Sequence, residues 1–321
     1  MSLKIDNKVV HSSATEVLMQ NVYGFEQGTS GAITLGSEMI QGDFEEFSML
    51  GEIANIIGRR DISSDADAAV KTLSSIDGND VKVYFSTGAI EFKLVDAKRY
   101  GSNSVAFSQA IGEQIGIGIT NYMLNKIISA GVGAINGNST VVTGDGTATI
   151  TAQLLNTSLK PFGDARDNIV AWIMNGVVFN DLVGNQLDIA VAGDVTANGV
   201  LYTESVGTLG RPVYVTDATG LNIKSTDDAD NVKDSNAVLG LTRGALKIVE
   251  SEAREFYSEI ITGKENLKYR IQAESSMLLG VDGYKYTSTA NPDDAVLADG
   301  ANWTQIATDV KSTAGVLINV K

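Results

Sequence analysis

Apolar side chains recur every fourth position through residues 104–135, and this pattern predicts one long helix. A spacing of four places such residues close to one side of a helix. At about 1.5 Å per residue the segment would span roughly 48 Å, whereas helices in compact domains average roughly 11 residues. A helix of this length favours a building block whose outlying parts are covered by neighbouring copies. The recurring residues are Phe107, Ile111, Ile115, Ile119, Met123 and Ile127.

Alternating apolar and polar residues before this helix predict a two-stranded ribbon. The turn signal Thr87-Gly88 separates two runs in which every second residue is apolar. Residues 52–62 could form the other point at which this ribbon joins the rest of the subunit. An isolated hairpin is barely stable in water, so the ribbon needs a surface to lie on, in its own subunit or in a neighbour. The two runs are Val81, Val83, Phe85 and then Ile90, Phe92, Leu94.

The second half of the chain predicts further strands. Alternation on both sides of the turn Thr262-Gly263 predicts an antiparallel hairpin within residues 255–286, the clearest strand signal in the chain. Continuous apolar runs predict buried strands, and short helices interleave with them. Residues 167–249 therefore predict a compact α/β unit. The expected strands are 168–179, 211–215, 238–249 and a final one at 314–320, and the expected short helices are 151–159 and 180–187.

Two other segments allow more than one interpretation. Residues 1–42 show little periodicity, so they form either an extended arm or an ordinary flexible terminus. Three glycines, Gly112, Gly116 and Gly118, lie inside the long helix. Glycine weakens a helix interior and could permit a bend, or it could allow close packing against a strand.

Composition and charge narrow the classes of function. The net charge of −15 makes general nucleic-acid binding a poor candidate, although an acidic inner wall would repel packed DNA and leave it mobile. The absence of cysteine removes disulfides, thiolate nucleophiles and zinc sites of the Cys/His type. The single histidine, His11, lies in a polar N-terminal stretch, where we expect it to be solvated. No secretory signal or membrane-spanning composition is visible, so no membrane partner is expected.

Motifs for catalysis, cofactors and metals lack the required spacing. Gly116-Ile117-Gly118 and Gly131-Val132-Gly133 begin like dinucleotide loops, but the third glycine is missing from both. The aspartates near residues 65 and 228 lack the glycine and the closing glutamate of a calcium loop. We therefore expect a protein that is not an enzyme, with no catalytic residues, no cofactor and no metal site.

An ordered set of local patterns resembles the major capsid proteins of tailed bacteriophages, which have the Hong Kong 97 fold. The set extends from roughly residue 24 to the C-terminus. The patterns are Ile57-Gly58-Arg59-Arg60-Asp61, Phe162-Gly163-Asp164, Ala171-Trp172-Ile173-Met174, Val178-Phe179-Asn180-Asp181-Leu182, Gly210-Arg211-Pro212-Val213-Tyr214-Val215-Thr216-Asp217-Ala218, Leu239-Gly240-Leu241-Thr242-Arg243-Gly244-Ala245 and Thr262-Gly263-Lys264-Glu265-Asn266.

The resemblance implies an α+β fold in five regions. They are an N-terminal arm (1–42), an extended loop formed by a β-ribbon (43–100), a spine helix with the start of the peripheral domain (101–166), an apical α/β domain (167–249), and a peripheral-domain ribbon with the C-terminal segment (250–321).

The resemblance also implies a function. The chain would be a structural subunit that self-assembles into hexamers and pentamers of an icosahedral phage head enclosing double-stranded DNA. Its partners would be further copies of itself, a portal, scaffolding or decoration proteins, and packaged DNA through weak non-specific contact only. It would assemble in the host cytoplasm and reside in the virion. Alternatives are the shell of an encapsulin-like nanocompartment enclosing a cargo enzyme, another virion structural protein, and an enzyme with an unrecognised site.

Contacts between subunits are expected in the extended loop and the peripheral ribbon. Arg59 and Arg60 precede Asp61, and they are either a solvated surface pair or partners of carboxylates in the same or another subunit. No crosslinking between subunits is expected. The residues expected at contacts are Arg59, Arg60, Asp61, Val83, Phe85, Ile90, Phe92, Tyr269 and Arg270.

Overall fold

The computed structural model describes residues 6–50, 62–63, 75–100, 104–192, 208–226 and 232–321. Its helices are α1 (Asn7–Gly28), α2 (Leu94–Tyr100), α3 (Ser104–Asn136), α4 (Ala152–Ser158), α5 (Gly176–Ala192) and α6 (Asp294–Ala298). Its strands are β1 (Ile33–Ser37), β2 (Phe44–Leu50), β3 (Ser75–Ser86), β4 (Ile90–Lys93), β5 (Val142–Thr143), β6 (Ile169–Met174), β7 (Val213–Val215), β8 (Asn222–Thr226), β9 (Val232–Thr242), β10 (Leu246–Glu250), β11 (Glu255–Ile261), β12 (Lys268–Val281), β13 (Tyr284–Tyr286), β14 (Trp303–Gln305) and β15 (Gly315–Val320).

A seven-stranded sheet is built around β12, which is 14 residues long. The C-terminal half of β12 pairs antiparallel with β10 on one side and β3 on the other. Its N-terminal half pairs with β11 and β4 in the same way. The parallel strand β1 extends the sheet beyond β10, and β2 extends it beyond β3. The predicted hairpin is confirmed, since β11 and β12 pair on either side of the turn at Thr262-Gly263.

The predicted ribbon between residues 81–85 and 90–94 is wrong. Both β3 and β4 pair with β12, one after the other along the same edge, with Ser86 opposite Glu274 and Ile90 opposite Ile271. The turn signal therefore marks an interruption in the strand and not a reversal. Apolar and polar residues alternate in β3 and β4 because both strands belong to the same sheet and each has one buried face. β3 forms its ribbon with β2 instead, while most of residues 52–62 lie outside the described residues.

A six-stranded sheet has the order β5-β15-β9-β6-β7, with β8 paired to β9. Its strands include the predicted final strand, β15, which pairs antiparallel with β9. Trp172 on β6 is fully buried, and its Nε1 donates a hydrogen bond to the Thr208 carbonyl at 3.1 Å. A third sheet consists of β13 and β14 alone.

Two predicted strands differ in extent from the observed ones. β6 ends at Met174 because Asn175 and Asp217 cap α5: Asn175 Oδ1 accepts from the Val178 amide at 2.9 Å, and Asp217 Oδ1 accepts from the Gly176 amide at 3.1 Å. Residues 168–179 are apolar on both sides of this boundary, so hydrophobicity alone cannot divide them. Residues 238–249 hold parts of two strands, β9 and β10, which lie in different sheets.

The described part of residues 1–42 is not an extended arm. α1 occupies Asn7–Gly28, and the Asp6 side chain accepts a hydrogen bond from the Lys8 amide at its N-terminus. Val10, Ala14 and Leu18 recur every four residues and are buried. This apolar stripe is narrow, includes an alanine and is flanked by the buried polar Ser13, so the pattern of apolar residues is a weak signal for a helix.

The long helix is confirmed as α3, and its glycines have a specific role. A Cβ at Gly112 would lie 2.5 Å from the Val10 carbonyl oxygen, and one at Gly116 would lie 2.8 Å from that of Ala14. Close packing therefore explains both glycines, although their partner is the helix α1 and not a strand. A Cβ at Gly118 would meet no atom within 4 Å. Among the described helices, none combines the length and apolar composition that a membrane span requires.

We expect Gly112→Ala to loosen α1 and Gly118→Ala to leave it in place. The methyl group at position 112 would press on the backbone of α1, and overpacking of this kind costs about 1–3 kcal/mol. At position 118 the same change adds only helix propensity, which stabilises by up to about 1 kcal/mol. Urea unfolding together with limited proteolysis of α1 measures the difference. Equal stabilisation by both substitutions would contradict the close packing.

Candidate assembly interface

A ribbon of two strands projects from the edge of the seven-stranded sheet. β2 and β3 pair from Phe44 opposite Val81 to Leu50 opposite Ser75. Residues 51–74 therefore join two chain ends that lie across from each other. The expected contact residues Arg59, Arg60 and Asp61 belong to this segment and lie outside the described residues.

Phe47 and Gly78 fix the pairing of this ribbon. They lie directly opposite each other, and the Phe47 ring fills the space that a side chain at position 78 would need. A Cβ on Gly78 would lie 2.4 Å from Phe47 Cζ and 3.0 Å from Ile306 Cδ1. The ribbon root, which comprises residues 44–47 of β2 and 78–82 of β3, is thus packed onto the segment that follows β14.

A row of aromatic rings packs against the beginning of β2 in the same root. Phe44 stacks on Tyr286 with ring centroids 6.5 Å apart, and Tyr286 meets Trp303 edge-to-face at 5.2 Å. Tyr286 and Trp303 are buried and belong to the paired strands β13 and β14. Offset and edge-to-face pairs of this kind add about 0.5–1.5 kcal/mol beyond the area they bury.

Lys82 on β3 holds the segment between β1 and β2 against the sheet. Its side chain is only 2% exposed, and Nζ donates hydrogen bonds to Glu252 Oε1 at 2.7 Å and to the Ile40 carbonyl at 3.3 Å. Nζ also lies 4.9 Å from the centre of the Tyr84 ring. Burial lowers the pKa of Lys82, but its hydrogen bond to Glu252 and the charge of that carboxylate raise it by more, so the net pKa lies above the usual value. The same hydrogen bond lowers the pKa of Glu252.

Four of the expected contact residues pack within their own subunit. Val83 and Tyr269 are buried in the hydrophobic core of the subunit itself. Phe85 packs against Tyr122 with ring centroids 5.3 Å apart. Phe92 is partly buried between two rings, Phe107 at 5.2 Å and Tyr269 at 5.8 Å.

Arg270 and Ile90 lie on the surface. Arg270 donates hydrogen bonds to Glu91 on β4 and to Glu259 on β11, the latter at 3.4 Å, so its charge already links three strands of its own subunit. Arg270 and then Lys268 lower the pKa of Glu91 through their hydrogen bonds. Exposed ion pairs contribute little to stability, about 0–1 kcal/mol, so this network adds little to the stability of the subunit.

Exposed apolar side chains surround the distal end of the β11–β12 hairpin. Ile260 is 50% exposed and Leu267 is 46% exposed. The Leu94 amide donates a hydrogen bond to the Leu267 carbonyl, which places the exposed Val95 beside it. Clustered exposed apolar residues mark interaction sites. The sequence analysis did not include Leu267 and Val95 among the contact residues. Alternation groups Leu267 with the apolar residues of β12 and Val95 with the polar residues of β4, and the nearby turn and the start of α2 leave both exposed.

Side chains suited to holding a metal ion are not gathered in the described part of the chain. No group of three His, Asp or Glu side chains there is arranged to hold a metal ion. His11 is exposed, and its ring lies edge-on to Phe256 with centroids 5.5 Å apart.

Comparisons with known proteins agree with this architecture. Comparison with curated sequences finds no match. A structure of Microbacterium phage Oxtober96 matches with a TM-score of 0.55 at 11% identity, covering 92% of this chain and 90% of that one. The capsid asymmetric unit of cyanophage Pam1 matches with a TM-score of 0.53 at 10% identity, covering 90% and 88%. The acid-stable capsid of Helicobacter pylori bacteriophage KHP30 gives 0.51 at 10% identity, covering 91% and 88%.

These structures share the fold, and a family model adds the function. The model of the Gp13-like family, described as major capsid protein 13-like, matches residues 2–317. Its span covers the ribbon root, the spine helix α3, both large sheets and the peripheral hairpin. The chain therefore belongs to this family of major capsid proteins, and it is a shell subunit of a phage head with the Hong Kong 97 fold.

Proposed function

We propose that the chain forms hexamers and pentamers of an icosahedral head enclosing double-stranded DNA, and that its role is structural and not enzymatic. Membership of a major capsid protein family supports a phage head over a cargo-enclosing nanocompartment. The net charge of −15 supports only weak, non-specific contact with DNA, because an acidic wall repels phosphates. A portal and scaffolding or decoration proteins would be the other partners, and assembly would take place in the host cytoplasm.

The anchored root of the β2–β3 ribbon is the observation that carries this proposal. Phe44, Phe47 and Lys82 hold the two strands to the body of the subunit. Residues 51–74 therefore start from a fixed position at the edge of the sheet. We infer that this segment, with Arg59, Arg60 and Asp61, lies across a neighbouring subunit. Many such modest interfaces sum to a stable closed lattice.

A second interface involves the distal end of the β11–β12 hairpin. Ile90, Ile260 and Leu267 expose apolar surface there, and Arg270 is half exposed on the opposite face of β12. We infer that these residues meet their counterparts where capsomers join. Because the charges of Arg270 are already paired within the subunit, the apolar side chains would supply most of the attraction.

Replacing residues 51–74 with Asn-Gly should leave a folded subunit that cannot close shells. Leu50 and Ser75 are paired, so a two-residue type I′ turn can join them without changing the ribbon register. Phe44 and Phe47 keep their contacts, so the unfolding midpoint should stay close to that of the unmodified chain. Negative-stain microscopy and sedimentation measure shell closure.

The control for this variant is hydrogen exchange of β2 and β3. Protection of both strands at the level of the unmodified chain shows that the root has survived the replacement. Shells of normal size and yield from a variant with a protected root would refute the role of residues 51–74.

A double substitution, Ile260→Ser with Leu267→Ser, should slow shell closure without destabilising the subunit. Both side chains are about half exposed, and surface substitutions usually change stability by less than about 0.5 kcal/mol. Light scattering of assembling protein measures the rate. Tyr257→Ser is the matched control, because Tyr257 is exposed on the opposite face of β11. Unchanged closure by the double variant, or equal slowing by the control, would contradict this interface.

A further inference from the structure

The ribbon root contains a buried carboxylate that the assembly proposal does not use. Asp80 on β3 is only 5% exposed. Its carboxylate lies against the backbone of β12, since a Cβ on Gly280 would be 2.5 Å from Asp80 Oδ2. Glu45 on β2 is paired with Asp80, and Lys247 on β10 is paired with Gly280. These four residues form a row across four neighbouring strands.

The charges that face Asp80 come from three elements and are unbalanced. Lys247 Nζ lies 3.9 Å from Asp80 Oδ2 and 3.5 Å from Glu45 Oε2, so one ammonium group faces two carboxylates. Asp282, directly after β12, adds a third negative charge. The backbone at Gly280 leaves no room for the Asp80 side chain to move deeper into the sheet. The Asp80 side chain is only 8% exposed, so an ionised carboxylate there is poorly hydrated while the strands of the root stay together.

These surroundings raise the pKa of Asp80. Burial raises its pKa to about 7, Lys247 opposes that rise, and Glu45 and Asp282 add to it. Burial also raises the pKa of Asp282. An unfolded chain loses the Asp80 proton near its ordinary pKa of 3.8, whereas the closed root keeps it up to about pH 7. The closed root is therefore most favoured at low pH, and this advantage is lost as the pH rises from the ordinary pKa through the raised one.

We propose that Asp80 is a charge-controlled latch for the ribbon: the neutral side chain holds β2 and β3 closed against β12 and β10, and the ionised side chain releases them. The latch is a property of the subunit itself. Its consequence for the shell rests on the proposed function, because a released root would change the direction from which residues 51–74 reach a neighbour.

Hydrogen exchange of the full-length protein between pH 5.5 and 8.5 tests the latch. After correction for intrinsic exchange, protection of β2 and of the part of β3 paired with it should fall at least about tenfold as the pH rises through 7, since each unit of pKa shift corresponds to a factor of ten. The amides of β6, in the other large sheet, should not respond. Asp80→Asn should make the protection of the root independent of pH.

A matched control lies on the same strand. Asp77 is exposed on β3, so Asp77→Asn should retain the pH response of the unmodified chain. Substitution of either of two neighbouring residues should change the pH of release, in opposite directions. Glu45→Gln removes a negative charge and should move the release to lower pH, whereas Lys247→Gln removes the opposing cation and should move it to higher pH.

The latch is overturned if root protection in the unmodified chain does not change across this range, or if Asp80→Asn shows the same response. Should Asp80→Asn fail to fold, the opposite shifts of Glu45→Gln and Lys247→Gln decide the matter, and shifts in one common direction would refute the latch. Hydrogen exchange is measured on the subunit, whereas shell closure is measured by microscopy. A failure of the latch is therefore distinguishable from a failure of the assembly proposal.

Discussion

The register of one strand, β12, determines where most of the seven-stranded sheet lies. This single strand carries β10 and β11 on one edge and β3 and β4 on the other, so both the ribbon root and the peripheral hairpin are placed by it. In its N-terminal half Tyr269, Ile271 and Ala273 are buried while their neighbours are not. A slip by one residue would bury Arg270 and expose these three, so the register is strongly specified.

The register of β12 provides a rigid base for the segments that we propose contact other subunits. One continuous hydrophobic core joins α3 to both large sheets. The packing of α1 against Gly112 and Gly116 completes that core. The ribbon at the edge is then fixed by Phe47 in the space left by Gly78, and its protonation-sensitive residue, Asp80, lies in the same row of strands. The proposed functions of residues 51–74 and of Asp80 thus depend on the same anchored strand pair.

Sequence patterns predicted the elements in which apolar residues recur at a regular spacing within one segment. The four-residue spacing of α3 and the alternation of β11 and β12 each extend over many residues, and both elements are confirmed. Pairing was harder, because alternation shows which face of β3 is buried but not that β2 and β12 are its partners. The helix α1 gave too narrow a stripe, with Ala14 at its centre. Asp80 is a polar strand residue like any other in the sequence; its burial depends on Gly280, 200 positions further along the chain.

A cryo-electron microscopy reconstruction of the assembled shell would show where residues 51–74 lie. We predict that every subunit keeps the β2–β3 register from Phe44 opposite Val81 to Leu50 opposite Ser75, and that density for residues 51–74 continues from this ribbon onto an adjacent subunit. A shell in which that segment packs on its own subunit, or in which β2 has left β3, would contradict this prediction.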